Sequence, residues 1–540
     1  MPIQPRRLAA PLAALAVTGL LTSCAASASP AGASGEREGG ELVYLDAELT
    51  SNTQLQTSGT WQDSAYVTNI TDRLVFKDPE TGELQPHVAE DWTVSEDGLV
   101  YEFAIREGIT YSDGTDLDAA NVERNLEWQS QGDPEQGIPA NNWLPPIADI
   151  SSGDGTVTVK LEQPYAPLLD VLSFWRTSLV ADATIDSTIE EQSQITGIIG
   201  SGPFTVESEV YGEEIVFAKR EGYDWAPSSW EHQGEAFLDR VTVIPVTEDS
   251  VRQGSLRSGE ADLIRYVLPS EEQGLIDAGI EVVGVQGTGN ANVWDVRQSA
   301  PFVDDVRVRQ ALQVGIDREQ IVDDLYSGNW QAATSTVSPG TFGYVDLAES
   351  LRFDPERAEA LLDEAGFTER DADGYRTRDG ERLSLTTYVD VYDSTAKPLF
   401  QLIQWQLQRL GIELVIEETD YANYSAVIAD PSIAVRRNGW PEADAWVRQS
   451  VNYSVDGSNL LNLPEDDRVL ADLYAQQAVT TDAAERARIV GEIQRVSVEQ
   501  AYLLPILDDS QVFGIQPTVH DLRWTAEARP WFYDAWTERK

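Results

Sequence analysis

The chain has 540 residues, a formal net charge of −53, 41% hydrophobic residues, 15 tryptophans and one cysteine. That charge argues against nucleic acid and anionic lipid surfaces as partners, and the apolar and aromatic content argues against a disordered body. A single cysteine excludes an internal disulfide, and a body of about 500 residues exceeds what one core supports, so two or more lobes are expected.

Residues 1–23 read as an export signal. Arg6 and Arg7 form a basic start, and Leu8 to Leu21 form an apolar, alanine-rich stretch too short to span a bilayer. Leu21-Thr22-Ser23-Cys24 is a lipobox-like end, so Cys24 is the candidate for lipidation, which would anchor the body outside the cytoplasmic membrane. Removing residues 1–23 takes away two arginines and no acid, moving the charge from −53 to −55. Arg6-Arg7 leaves both the general and the twin-arginine export routes open. Residues 24–40, small or charged, are expected to be a disordered tether.

The folded part opens with Glu41–Leu45 as a first strand. Trp92–Val94 and Leu99–Ile105 are expected to pair as a hairpin across the Asp97-Gly98 turn, because Leu99, Tyr101, Phe103 and Ile105 alternate with more polar residues. Asp118 caps a helix bearing Val122 and Leu126 on one face. Gly200 to Pro203 is a turn leading into a strand, and Val241 to Val246 alternates as another. A capped helix near Glu248–Ser258 ends at Gly259 and runs into the strand Asp262–Tyr266.

From Pro301 onward the signals are helical and α/β. Val308, Ala311, Leu312 and Ile316 share a helical face, and Asp317 with Gln320 reads as a capping box. Asp354-Pro355 gives an N-cap and a first-turn proline for a helix closed by Gly366. The strand Leu383–Val389, the helix stripe Leu399 to Leu410 stopped by Gly411, and the strand Ile412–Ile416 form a βαβ unit expected to lie in a parallel sheet. Asp482 with Glu485 caps a later helix carrying Ile489, Ile493 and Val496. Asp371-Ala372-Asp373-Gly374 reads as a hairpin or turn.

The run "LQPHVAEDWTVSEDGLVYEFAIREG" at 84–108, then Ser112-Asp113-Gly114-Thr115, resembles the solute-binding proteins of peptide- and nickel-type ABC importers. "FVDDVRVRQAL" at 302–312, Gly315-Ile316-Asp317-Arg318, Ala365-Gly366-Phe367 and Gln406 to Ile412 extend the resemblance from about residue 41 to the C-terminus. It implies an α/β, two-lobed periplasmic-binding-protein-like fold with a hinged ligand cleft. Lobe I would comprise 41–65, an extra subdomain 66–199, and 200–288; lobe II would be 289–504, and 505–540 would return to lobe I.

Two segments gain a ligand-binding expectation from this resemblance. Thr57, Ser58, Gly59 and Thr60 are similar to a Thr-Ser-Gly-Thr loop facing the ligand, where a glycine admits close backbone approach between hydroxyls. The bland alternative is a surface turn. Asn438, Gly439, Trp440, Glu442 and Asp444 are similar to the family's glycine-tryptophan loop, whose aspartate takes the ligand's ammonium group against an aromatic wall. Here Asp444 stands four residues after Trp440 and Glu442 two after, where the family places an aspartate three after, so both carboxylates stay open. Near Asp390–Lys397 no arginine stands where dipeptide-binding relatives pair the ligand's carboxylate; Lys397 is the cation there.

No hydrolase, zinc-protease, thiol-redox or phosphate-loop motif is present, and His87, His232 and His520 are far apart in the sequence. No cofactor or metal is expected. The reading is a lipid-anchored extracytoplasmic receptor, monomeric and not an enzyme. It captures a peptide or amine-bearing solute and delivers it to an ABC permease and ATPase complex. A receptor for a metal chelate or another small solute is the alternative within the class, and a cell-surface hydrolase using two carboxylates is the alternative outside it.

Overall fold

The computed structural model describes residues 37–58, 60–390, 396–419, 423, 427, 430, 432–439 and 442–540. In chain order the elements that position the cleft are β1 (Glu41–Asp46), α1 (Trp61–Ile70), β2 (Ala89–Val94), β3 (Val100–Ile105), α2 (Ala119–Gln131), β4 (Ile147–Gly153) and β5 (Thr156–Leu161). There follow β6 (Phe204–Val210), β7 (Glu214–Lys219), β8 (Arg240–Pro245), α3 (Asp249–Ser258), β9 (Leu263–Arg265) and β10 (Glu281–Gln286). Next come β11 (Asn292–Val296), α4 (Val306–Gly315), α5 (Arg318–Leu325), α6 (Pro355–Glu364), β12 (Ser384–Asp390), α7 (Ala396–Leu410) and β13 (Glu413–Thr419). The chain closes with β14 (Val435–Asn438), α8 (Ala445–Tyr453), α9 (Ala483–Glu499), β15 (Leu503–Leu507) and β16 (Ser510–Ile515).

Among the described residues, lobe I is built on a seven-stranded sheet of order β10-β16-β9-β1-β8-β7-β6. β1 lies parallel to β8 and β9, and β16 inserts antiparallel between β9 and β10. A four-stranded sheet, β2-β3-β5-β4, belongs to the subdomain between β1 and β6. Lobe II carries β14-β11-β15 and the parallel pair β12-β13. The chain passes between the two main sheets at 287–291 and again at 508–509. The second passage falls after Leu507, later than the expected boundary at 504/505, because β15 still pairs with β11.

The local patterns explain the elements. β2 and β3 pair as a hairpin with Trp92 opposite Phe103 and Val94 opposite Tyr101. Gly98 takes the left-handed φ of +67° that the turn needs, and Tyr101 and Phe103 point into the core. β12 and β13 run parallel with Leu385 opposite Leu414, joined through α7. Leu399, Ile403, Leu407 and Leu410 of α7 are buried against them, each contributing about 1.5–3 kcal/mol. Asp118, Asp354 and Asp482 each accept the backbone N–H three residues on, as the sequence predicts.

Other expectations are modified by tertiary contacts. The Asp317–Gln320 box is only half made: Asp317 accepts the Gln320 N–H, but its own N–H donates to the Gln406 side chain of α7. Glu485 pairs with Arg488 rather than returning to Asp482. The Glu248 side chain makes no capping bond to α3, although Gly259 ends that helix in the left-handed conformation. Residues 37–40, expected as the end of a tether, are instead bonded into the body. Gly39 N–H donates to Phe237 O at 2.8 Å and Asp239 N–H to Gly40 O at 2.9 Å. Cys24 and the signal segment lie outside the described residues.

Candidate ligand cleft between the lobes

The crossing segment at 287–291 brings three parts of the chain together. Thr288 donates its N–H to Ala526 O at 2.8 Å, and its own carbonyl accepts the Glu442 N–H at 2.9 Å. Gly439 lies against the start of β11, where a Cβ would stand 2.9 Å from Asn292 Cα, so glycine is required by close backbone approach. Asn438 faces lobe II rather than a cleft: its amide donates to Tyr453 Oη at 3.0 Å and Asp295 Oδ2 at 3.2 Å. Trp440, with Pro441, lies outside the described residues.

The two carboxylates that the spacing left open are in unlike environments. Asp444 caps α8 by accepting the Trp446 and Val447 N–H groups, and its other oxygen pairs with the buried Arg486. Its accepting capacity is engaged in holding lobe II together. Glu442 is 6% exposed, its Oε1 stands 3.7 Å from Arg448 Nε, and its Oε2 is buried with no hydrogen-bond partner among the described residues. Burial pushes its pKa above the ordinary glutamate value, partly offset by Arg448 and Arg176. Glu442, not Asp444, is the carboxylate with an oxygen to offer.

In the other candidate loop the hydroxyls divide similarly. Thr60 caps α1 in a reciprocal box with Asp63. Thr57 Oγ1 is held between Gln54 Oε1 at 2.9 Å and Asn52 Nδ2 at 3.0 Å. Ser58 is buried and its Oγ has no partner among the described residues. Gly59 lies outside the described residues. Among the described residues, Ser58 and Glu442 are therefore the sequence-predicted ones with a buried polar atom that has no hydrogen-bond partner. Lys397 is turned to an exposed pair with Glu418.

Arg176 joins these two loops and was missed from the sequence. Its guanidinium lies 4.7 Å from the ring centroids of both Trp143 and Trp175, and donates to Leu55 O at 3.3 Å. Burial pushes its pKa down to about 10, while the negative charge of Glu442 acts upward on it. The signal in the sequence was the triplet Phe174-Trp175-Arg176, a cation flanked by aromatic residues. Trp143 packs with Val171 and Val447, so this aromatic wall touches α8 of lobe II. Lys77 spans the same seam, pairing with Asp170 at 2.7 Å and donating to Ala443 O at 2.6 Å.

Two further buried arginines lie close by. Arg529 leans on Trp61 at 4.7 Å and donates to Ser64 Oγ; burial pushes its pKa down to about 9. Arg73 stands 5.6 Å from the Trp531 ring, with Nε and Nη1 buried and without a hydrogen-bond partner among the described residues. His87 sits in the core, 3.1 Å from Asp72, and burial holds its pKa below the ordinary value. Among the described residues, no group of three or more His, Cys, Asp or Glu side chains could hold a metal ion, and no helix is long and apolar enough to cross a membrane.

This arrangement, two sheets joined by paired crossings around a polar seam, has close parallels among known proteins. NikA from Brucella suis in complex with Fe(III)-EDTA superposes with a TM-score of 0.79 at 22% identity, covering 92% of this chain and 100% of that one. The periplasmic binding protein DppA from Helicobacter pylori in complex with the peptide STSA gives 0.77 at 21%, covering 93% and 99%. Glutathione-binding protein GsiB of Escherichia coli O1:K1 / APEC is 27% identical over 446 residues, 80% of this chain and 81% of its own. GsiB of Salmonella paratyphi A is 28% identical over 443 residues, 79% and 80%. The family model described as "Bacterial extracellular solute-binding proteins, family 5 Middle" matches residues 83–462. The chain belongs to the bacterial extracellular solute-binding proteins of family 5.

Proposed function

We propose that this chain is an extracytoplasmic receptor that binds a peptide or other amine-bearing solute between its lobes, closes over it and delivers it to an ABC permease and ATPase complex. The observation that carries the reading is Glu442, a buried carboxylate fixed at the crossing by Thr288 and keeping an oxygen without a hydrogen-bond partner among the described residues. A ligand ammonium meeting that oxygen would form a charge-assisted hydrogen bond, worth about 1.5–3 kcal/mol. Contacts to both lobes at once would shift an open–closed equilibrium, so binding requires no bond chemistry and no cofactor. The relatives support the class: GsiB is named for glutathione, and DppA was solved with a peptide. Lipidation at Cys24 would hold the monomeric body on the outer face of the cytoplasmic membrane.

A second reading, a receptor for a metal chelate, draws on the three buried arginines of the seam, which suit a polycarboxylate; NikA was solved with Fe(III)-EDTA. Native mass spectrometry of the protein purified from its own host separates the two by the mass that co-purifies. A peptide or amine confirms the first reading, a metal complex the second, and hydrolysis of a co-purified peptide by the protein would overturn both. Small-angle scattering with the identified ligand should show a more compact particle, and an unchanged curve with ligand bound would argue against closure.

A further inference from the structure

Away from the Glu442 loop, the lobes also meet at the crossing 508–509, through the loop 327–331 that follows α5. This loop is fastened on both sides. Toward lobe I, Glu272 of the helix Pro269–Asp277 accepts from Ser327 Oγ at 2.7 Å and from Asn329 Nδ2 at 2.8 Å. Gly284 of β10 makes room there, since a Cβ would stand 2.6 Å from Asn329 Cβ. Toward lobe II, Ala332 bridges to Leu507 of β15, and Ala333 N–H donates to Ile506 O at 3.2 Å. Trp330, between the two attachments, packs on the cores of both lobes.

Asp508 lies against this loop, its N–H donating to Gln331 O at 3.0 Å. The carboxylate is 1% exposed, and its Oδ1 has no hydrogen-bond partner among the described residues. Glu272, the other acid at the loop, has both oxygens engaged. The charge that acts on Asp508 is that of a further acid, Asp509, whose Oδ2 accepts from Gln511 Nε2 at 3.3 Å. An ionised Asp508 therefore bears the cost of desolvation without a cation to offset it. Rotation of one lobe on the other has to be absorbed between the two attachments of the loop, which is where the loop covers this carboxylate.

We propose that Asp508 is a proton switch in the hinge: the lobes close with it protonated and part when it is ionised and hydrated, so acid alone favours the closed form of the ligand-free chain. This rests on the hinge reading given above and adds a control that needs no ligand. The sign follows from the two environments. Hydrated in the open form, the carboxyl has the ordinary value of about 3.9; buried in the closed form, it is pushed up to about 7. Closure is then favoured most in acid, weakens as pH rises from about 4 to about 7, and is level above that. Burial also raises the pKa of Glu442 and of Asp170 at the seam, so the test compares chains that differ only at Asp508.

The readout is the Ala166 amide, which reaches from the subdomain to lobe II by donating to Ala478 O at 2.7 Å and is shielded from solvent exchange while the lobes touch. Hydrogen exchange is measured on the full mature chain without ligand, parent beside Asp508→Asn at matched pH, so that intrinsic exchange cancels in the ratio of their protection factors. The ratio of parent to Asp508→Asn should fall at least about tenfold between about pH 5 and about pH 7 and stay level above. In the parent near pH 7, Ala166 should exchange well before the amides of the β2–β3 hairpin, which marks parting of the lobes rather than unfolding. A ratio that does not change with pH overturns the switch, as does an Ala166 that exchanges only together with the hairpin. An Ala166 unprotected in both chains at every pH overturns it too, because the free chain then does not close. None of these outcomes touches closure over a ligand, which the scattering experiment judges separately. A falling ratio beside unchanged scattering with ligand would sustain the switch and reject ligand-driven closure.

Discussion

At the scale of single residues, the two carboxylates of one loop should separate cleanly in experiment. Asp444→Asn can still cap α8, since asparagine is a good N-cap, but it leaves Arg486 buried without its charge partner. It should cost about 3–5 kcal/mol of stability. Glu442→Gln removes a carboxylate that burial already disfavours, so the melting temperature should hold or rise while affinity for an amine-bearing ligand falls about tenfold to a hundredfold. Melting curves beside calorimetric titration of both variants check this; loss of affinity confined to a well-folded Asp444→Asn would reverse the roles. The raised pKa of Glu442 gives a pH signature as well. Affinity should fall on acidification, beginning above the ordinary glutamate range, and Glu442→Gln should flatten that profile. Spacing from Trp440 could not choose between these two acids. What sets them apart in the structure is Arg486, 42 positions along the chain from Asp444, and Thr288, 154 positions from Glu442.

At the scale of elements, the crossing at 508–509 contains a carboxylate in an uncomfortable place. Asp508 is buried, its Oδ1 has no partner among the described residues, and burial, with Asp509 beside it, pushes its pKa up to about 7. A folded-state pKa above the unfolded value of about 3.9 means that the folded state holds the proton more tightly. Stability from this group is therefore present in acid and lost as pH rises from about 4 through about 7. Asp508→Asn should melt a few degrees higher than the parent at pH 8, with the gap closing toward pH 4; a pH-independent difference would show that Asp508 is not the titrating group. Elements with short-range causes were legible in the sequence: the Asp97-Gly98 hairpin, the helix capped by Asp118, and the βαβ unit ended by Gly411. The Gln406 contact that replaces half of the Asp317 box was not, because it comes from a helix 89 positions away.

At the scale of the whole molecule, the unlipidated receptor should leave the cell surface. Cys24→Ser should appear in the medium or as an unprocessed precursor, followed by fractionation and intact mass; normal processing with membrane retention would refute lipidation at this residue. The strand order of lobe I also has a bearing on how the chain comes to fold. β1, among the first residues described, sits near the middle of the seven-stranded sheet, and β16, among the last, is wedged between β9 and β10. That sheet cannot be completed until residue 515 has emerged. The sheet β14-β11-β15 draws on the uninterrupted stretch 292–507 and needs neither end of the chain. During synthesis lobe II can thus mature first, while lobe I waits as open strands for the last segment. Such pairing across nearly the full contour is slow, because the long loop must close before any contact rewards it. For a chain exported unfolded by the general route, that delay would keep its leading half threadable through a translocation pore until the final residues follow.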